Sequence, residues 1–539
     1  IKRHRRGNRV YLAEYKSIRE GKKVRSKFIR YIGVEGEKKI ERGKTLDRIM
    51  HGDSIESGAV RLLWSIATDL HMQEIIGDVC GKAAGSLLTV WAINRVIDPE
   101  SASNLEEWVS STEIPSLSGI PAYKMNKDAF LRSLDRVCYS RAGMTVDRSR
   151  EIEAALYNRW IEENNHGSTM AYDITSVLFF GTSSSIAEMG YDSGSRRKIN
   201  VALLSTREGI PVMHSVYEGS RNGRSTVKNL ITEISRWGIP QGLLIVDRGI
   251  MGKTLVDGLS KLGWDVIGGI VKDDAIKGHI SNVDVPVTPE NMVDYEGKIY
   301  ASSSSMDIYR KRRRLIIYRN IQRVQNELSD RNIALSEIGK SLDGLNRSAK
   351  HMSRGGIRKE IDRITGEWKR FFFIHIGKEG DERRVRWRYH AAYLKDAERG
   401  DGKYALLCTD DSIDPIEAVR LYFSKDFVEK SFRTIKGDIL IEPVRHRLDQ
   451  RIRAYVFVCV LAYWLRSHLA YVLGTEGVED PHHHLEILLR DIEKVQKVDV
   501  TLGNEVRTWH LNLSGRAVEI LKKLGKANLF REESKIINV

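Results

Sequence analysis

The sequence is short of the features that mark several common protein classes. It has four cysteines in 539 residues, and Cys80, Cys138, Cys408 and Cys459 lie far apart with no Cys-x2-Cys pair. That argues against a disulfide framework or a zinc ribbon and for buried thiols in a reducing compartment. No run of about eighteen apolar residues occurs, so no membrane span is expected. The longest candidate, AYVFVCVLAYWLRSHLAYVLG (454–474), is interrupted by Arg466 and His468 and reads as a buried helix. The opening IKRHRRGNRVYLAEY is basic with no apolar signal region after it, and Ile1 in place of a methionine leaves room for preceding residues. Neither GSRNGRS nor GIMGKT fits Gly-x4-Gly-Lys-Ser/Thr, so ATP dependence is not expected. The consecutive His482, His483 and His484 would point about 100° apart on a helix, a poor chelating face.

What the sequence has is positive charge. Lys and Arg exceed Asp and Glu by 15, and a field of that sign attracts phosphate backbones. Charge alone does not separate a nucleic-acid binder from a solvated basic surface. At 41% hydrophobic and 29% charged, a chain of this length divides into two to four globular domains.

The patterning predicts an α/β fold in six parts. Residues 1–45 alternate apolar and basic residues around a REGKK turn and read as a hairpin-like basic module. Residues 46–165 carry helical periodicity and are expected to be a DNA-binding region. Residues 166–270 begin with strands at TMAYDITSVLFFG and KINVALLSTREGIPVMHSVYEGS. Then come a helix, the apolar strand GLLIVDRG, a second helix and the strand DVIGGI. Three strands in a meander followed by alternating helix and strand predict the first part of a ribonuclease-H-like core. Residues 271–410 read as a β-rich insertion. Residues 411–475 return to the core with a helical stretch, and 476–539 are expected to be helical.

The chemistry is read from three carboxylates. Asp173 lies inside the first core strand, Asp247 ends the apolar run LLIVD, and Glu429 lies on the later helix. Open α/β sheets place ligands at carboxyl strand ends. An Asp closing a buried apolar strand needs a partner or a metal, although carboxylates also fall at strand ends by chance. Three such groups would suit hard divalent cations in phosphoryl transfer. With helical spacing, Tyr422, Lys425, Arg433 and Lys436 share a face with Glu429, a stripe suited to holding phosphates. Arg248, after Asp247, is a weaker phosphate contact.

The stretch 422–436 fits Tyr-x2-Arg-x3-Glu-x6-Lys, with Lys425 in place of the arginine. In this it resembles the DDE transposases of bacterial insertion sequences, in particular the "insertion sequence four" type. GYDSGSRRKINVALL, VYEGS, VDRGI, DGKYALLCTD and IEPVRHRLDQRIRAYVFV extend the resemblance over nearly the whole chain. The resemblance implies that Asp173, Asp247 and Glu429 are catalytic and hold Mg2+, with Mn2+ able to substitute. It implies binding of double-stranded DNA at terminal inverted repeats, pairing of ends in a homodimeric synaptic complex, cleavage, and transfer of 3′-hydroxyl ends to target DNA. The expected setting is a bacterial or archaeal cytoplasm, at the nucleoid, with no membrane partner. In this group a transposon end can pass through a hairpin with a base flipped onto an aromatic ring, for which Trp368 and Trp387 are candidates, core packing being the alternative. A ribonuclease-H-like nuclease without strand transfer and an inactive DNA-binding relative are the other readings.

Overall fold

The computed structural model describes residues 2–6, 9–20, 23–34, 49–51, 54–164, 167–181, 183–189, 196–295, 297–380, 382–502 and 505–536. The chain forms two compact units, one of Ile1–Ile55, Gln496–Leu511 and Phe530–Val539, the other of Glu56–Val495 and Asn512–Leu529.

In the smaller unit Lys2–Arg6, Arg9–Glu20 and Lys23–Val34 pair antiparallel. The expected REGKK turn reaches residues 21–22, and these, like 35–48, lie outside the described residues. A second sheet pairs Gln496–Leu502 with Glu505–Leu511, with Glu533–Ile536 and Ile49–His51 on its two sides. The C-terminal part is therefore not simply helical. Helices Pro481–Ile492 and Gly515–Lys523 are present in the larger unit, but the alternating apolar and polar residues of Gln496–Leu502 and Glu505–Leu511 between them pair antiparallel.

The larger unit is mixed α/β, built on a ten-stranded sheet. Thr169–Leu178 is its third strand from one edge. On one side it pairs antiparallel with Arg197–Thr206, which pairs with Pro211–Glu218. On the other side it pairs in parallel with Leu243–Val246, and that strand with Asp265–Gly269. Helices Gly223–Arg236 and Lys253–Lys261 make the crossovers. Leu243–Val246 is buried throughout, as a strand between two parallel partners must be. This is the meander-then-alternation order expected from the sequence.

The sheet then continues where an inserted subdomain was expected. Lys403–Cys408 pairs antiparallel with Asp265–Gly269, and Lys311–Asn320, Lys298–Ile308 and Met292–Asp294 follow outward. The stretch 271–410 is thus less β-rich and less separate than its sequence suggested. Its longest element is the helix Ile321–Ala349, joined by helices Arg354–Thr365 and Ala391–Gly400. Only the hairpin Phe372–Glu379/Glu382–Tyr389 forms a sheet of its own. Leu335, Leu342, Leu345, Ile357, Phe372 and Val385 give this part a small core, tied to the large sheet by the Arg331–Asp401 pair at 2.5 and 2.7 Å.

Helices from Gly58 to Glu163, the helix Asp449–Thr475 and the helices Pro481–Ile492 and Gly515–Lys523 also belong to this unit. Asp449–Thr475 is buried on every side from Ala454 to Ala470, which is why it is apolar all round. Among the described residues it is the one helix long and apolar enough to cross a membrane, and it lies inside the fold. It packs on helix Lys82–Ile97 and strand Pro211–Glu218. Trp160 donates its indole N–H to His468 Nδ1 at 3.2 Å.

Candidate active site

The parallel register builds the first half of the site. Ile245 stands opposite Ala171 and Val246 opposite Tyr172, so the next step along both strands sets Asp247 beside Asp173 at the carboxyl end of Leu243–Val246. Strand pairing places the two main chains side by side, although the residues are far apart in sequence.

Glu429 arrives on a second layer. The helical stretch is two helices, Pro415–Ser424 and Asp426–Gly437, meeting at Lys425 (φ −58°, ψ −7°). The second lies along the Asp173 strand, with Lys436 Nζ donating to the Ser176 carbonyl at 2.6 Å. Seven helical residues and three strand residues both cover about 10 Å, so this anchor sets Glu429 level with Asp173.

The three carboxylates act on one another. Burial pushes the Asp173 carboxyl up to about 6; the charges of Asp247 and Glu429 push the same way, while the Ile174 amide and Lys425 pull it down. Lys425 ion-pairs with Asp247 and lies 3.6 Å from Glu429 Oε1. Burial lowers the affinity of its ammonium for a proton, but Asp247, Tyr422 and Glu429 together outweigh burial and raise it. Among the described residues no three Asp, Glu, His or Cys side chains are gathered tightly enough to form a ready-made ion cage. The donor set nevertheless fits a hard divalent cation: oxygen ligands from three segments, one of them in a half-buried setting that disfavours its negative charge.

Beside Asp247 opens a cavity of about 360 Å³, lined by Arg248, Lys272, Tyr318, Tyr404 and Tyr422 among others. Lys272 Nζ lies 3.7 Å from the centre of the Tyr404 ring, and Gly269 leaves room for the Tyr422 hydroxyl, 3.1 Å from where a Cβ would stand. Arg248 and Arg433 are exposed. The structure thus brings Asp173, Asp247, Glu429, Tyr422, Lys425 and Arg248 together. Lys436 lies farther along the same helix, on Ser176. Sequence reasoning missed Lys272, Tyr318 and Tyr404, because the strands carrying Tyr318 and Tyr404 were assigned to a separate insertion.

Trp368 and Trp387 pack against the small core of the 321–400 stretch, partly exposed. The Trp387 indole N–H donates to Asp343 Oδ1 at 2.8 Å, its ring lies edge-on to Phe372, and it fills the space a side chain at Gly339 would need.

A second charged feature lies in the helical region. A groove of about 1180 Å³ has an apolar floor that includes Ala84 and Leu87, and Lys82, Lys124, Arg132, Arg136 and Arg148 around it. Its one carboxylate, Asp135, is already held by Arg451 through two hydrogen bonds of 2.7 Å. Arg132 and Arg136 stand one turn apart on helix Lys127–Val137, a spacing visible in KDAFLRSLDRV.

A family model described as "Transposase DDE domain" matches residues 165–465, more than half of the chain. No curated protein matches it. Among solved structures the chain is similar to piggyBac transposase, in a synaptic complex with hairpin DNA, at 10% identity over 80% of this chain and 79% of that one, TM-score 0.40. It is also similar to Mos1 transposase, in a paired-end complex with the left transposon end, at 11% identity over 31% of this chain and 58% of that one, TM-score 0.15. Neither likeness is close enough to carry an argument. With the family match spanning the strands of Asp173 and Asp247 and the helix of Glu429, the chain belongs to the DDE transposase family.

Proposed function

We propose that this transposase cuts the ends of an insertion-sequence element and joins their 3′-hydroxyls to target DNA at a centre made by Asp173, Asp247 and Glu429. The observation that carries this reading is the convergence of three carboxylates from three segments, with Asp173 and Asp247 set side by side by the parallel register. The strand order supports a ribonuclease-H-like core. Mg2+, with Mn2+ as substitute, would be held by those carboxylates and would supply charge neutralisation at the scissile phosphate and activation of the attacking oxygen.

The protein's own groups orient the DNA. Arg248 and Tyr422, at the cavity beside Asp247, are placed to contact the phosphates flanking the cut, with Lys425, Arg433 and Lys436 along the Glu429 side. The basic groove would take the duplex carrying the terminal inverted repeat, since its cations face an anionic backbone with only a neutralised carboxylate among them. Two copies would pair two ends. Trp368 and Trp387 are partly exposed candidates for stacking a displaced base, with packing on the small core as the alternative.

The test is cleavage and strand transfer of DNA carrying the element's ends in Mg2+. Wild type is expected to give nicked ends and joined product, and Asp247→Ala neither. Undiminished cleavage by Asp247→Ala would sink the assignment, and cleavage without joined product would leave a nuclease.

A further inference from the structure

Lys425 stands where the residues of the metal centre would meet their ion. It is the single residue between helices Pro415–Ser424 and Asp426–Gly437, closing one and opening the other. That position sends its side chain back across the carboxyl end of the sheet. Its ammonium ion-pairs with Asp247, lies 3.6 Å from Glu429 Oε1, and sits 5.4 Å from the centre of the Tyr422 ring. One monovalent cation thus touches carboxylates from two segments that are distant in sequence. Without a positive charge between them, like-charged groups at this range repel and splay apart.

We propose that Lys425 is the resident counter-cation of this centre: it holds Asp247 and Glu429 together before a divalent ion arrives, and binding of the ion displaces its ammonium. The inference rests on the carboxylates being the metal ligands, as proposed above. The residue type suits the task. A lysine ammonium is a compact point charge on a flexible stem, whereas an arginine fork would lock two hydrogen bonds onto one carboxylate. Lysine at 425, where the motif has arginine, therefore gives a cation that can leave. Once displaced, it remains beside Tyr422 and the cavity at Asp247, within reach of a phosphate. Lys425 is in this sense a positioning residue that sets the cost of metal entry.

The experiment is a Mn2+ titration of the full DNA-free chain, followed by electron paramagnetic resonance, with thermal unfolding measured alongside. Lys425→Met removes the competitor and is expected to bind Mn2+ roughly twofold to fivefold more tightly than wild type, the range a partly exposed ion pair supports. It should also show a larger Mn2+-induced rise in Tm. Lys425→Arg keeps the charge and is expected to bind no more tightly than wild type. Unchanged or weaker binding by Lys425→Met, or tighter binding by Lys425→Arg, overturns the proposal. If Lys425→Met is unfolded without metal, recovery of the fold on adding Mn2+ supports the proposal, and failure to recover overturns it. Asp247→Asn and Glu429→Gln separate the two layers of the argument. If they bind Mn2+ as wild type does, the metal reading itself fails. If they lose Mn2+ while Lys425→Met gains nothing, only the role of Lys425 fails.

Discussion

The carboxyl end of the large sheet and the groove of the helical region are opposites in charge. At the sheet end three carboxylates share one close lysine, and the most buried of them has its pKa raised to about 6. In the groove five cations surround one carboxylate already neutralised by Arg451, and one of the five, Arg148, pairs with Glu151 at 3.6 Å. The first gathers carboxylates with Lys425, Arg248 and Lys272 beside them, and the second is lined by cations. A divalent cation answers the first and a phosphate backbone the second, so one chain is charged to bring both to one reaction.

The largest effect is expected at the carboxylates. Glu429→Gln is expected to slow end cleavage roughly a thousandfold, the size of a lost metal ligand, while leaving duplex affinity nearly unchanged in a gel-shift titration. The reverse experiment neutralises the groove. Lys124→Ala/Arg132→Ala/Arg136→Ala is expected to weaken duplex binding by about tenfold to a hundredfold at low salt. It should also flatten the plot of log affinity against log salt by about 0.9 for each phosphate that is no longer neutralised. Cleavage at saturating DNA should persist. A variant that lost both functions to the same degree would show that the two regions are not separate.

The helix Asp449–Thr475 provides a control that should remove both functions together. Burial drives His468 down to about 4, and the Trp160 N–H points at its Nδ1, which must therefore be unprotonated. Because the folded-state pKa is depressed, the unfolded chain takes up the proton first. Stability from this group is present above about pH 6.5 and lost as pH falls from there through about 4, on the order of 3 kcal/mol. Thermal unfolding between those pH values should show the slope, and His468→Gln should reduce it by about half, because burial pushes His446 down to about 4 as well. Smallest is Trp387→Ala. If the ring mainly packs on Gly339 and Phe372, the protein loses ~1–2 kcal/mol of stability. DNA cleavage should change little, whereas a selective loss of cleavage at unchanged Tm would favour base stacking.

Much of the candidate site was legible because it rests on local pattern. The apolar runs before Asp173 and Asp247 announced strands, and the strand order followed from their spacing. What lay between Asp247 and Glu429 was not legible in full. Strands Lys298–Ile308 and Lys311–Asn320 look alike whether they join the large sheet or form their own, since pairing with Lys403–Cys408 is set by residues far along the chain. The break at Lys425 was hidden because FSKDF carries no proline or glycine. The strand pair Gln496–Leu502 and Glu505–Leu511 was overlooked although its alternation was visible, being flanked by clearer helices.

The most direct test is a change of ligand hardness at Asp247. Asp247→Cys is expected to fold, to cleave end-bearing DNA poorly in Mg2+, and to regain a substantial part of its activity in Mn2+, which accepts a thiolate more readily than Mg2+ does. Equal cleavage in both ions, or no recovery in Mn2+ by a folded variant, would contradict a divalent ion held by this carboxylate.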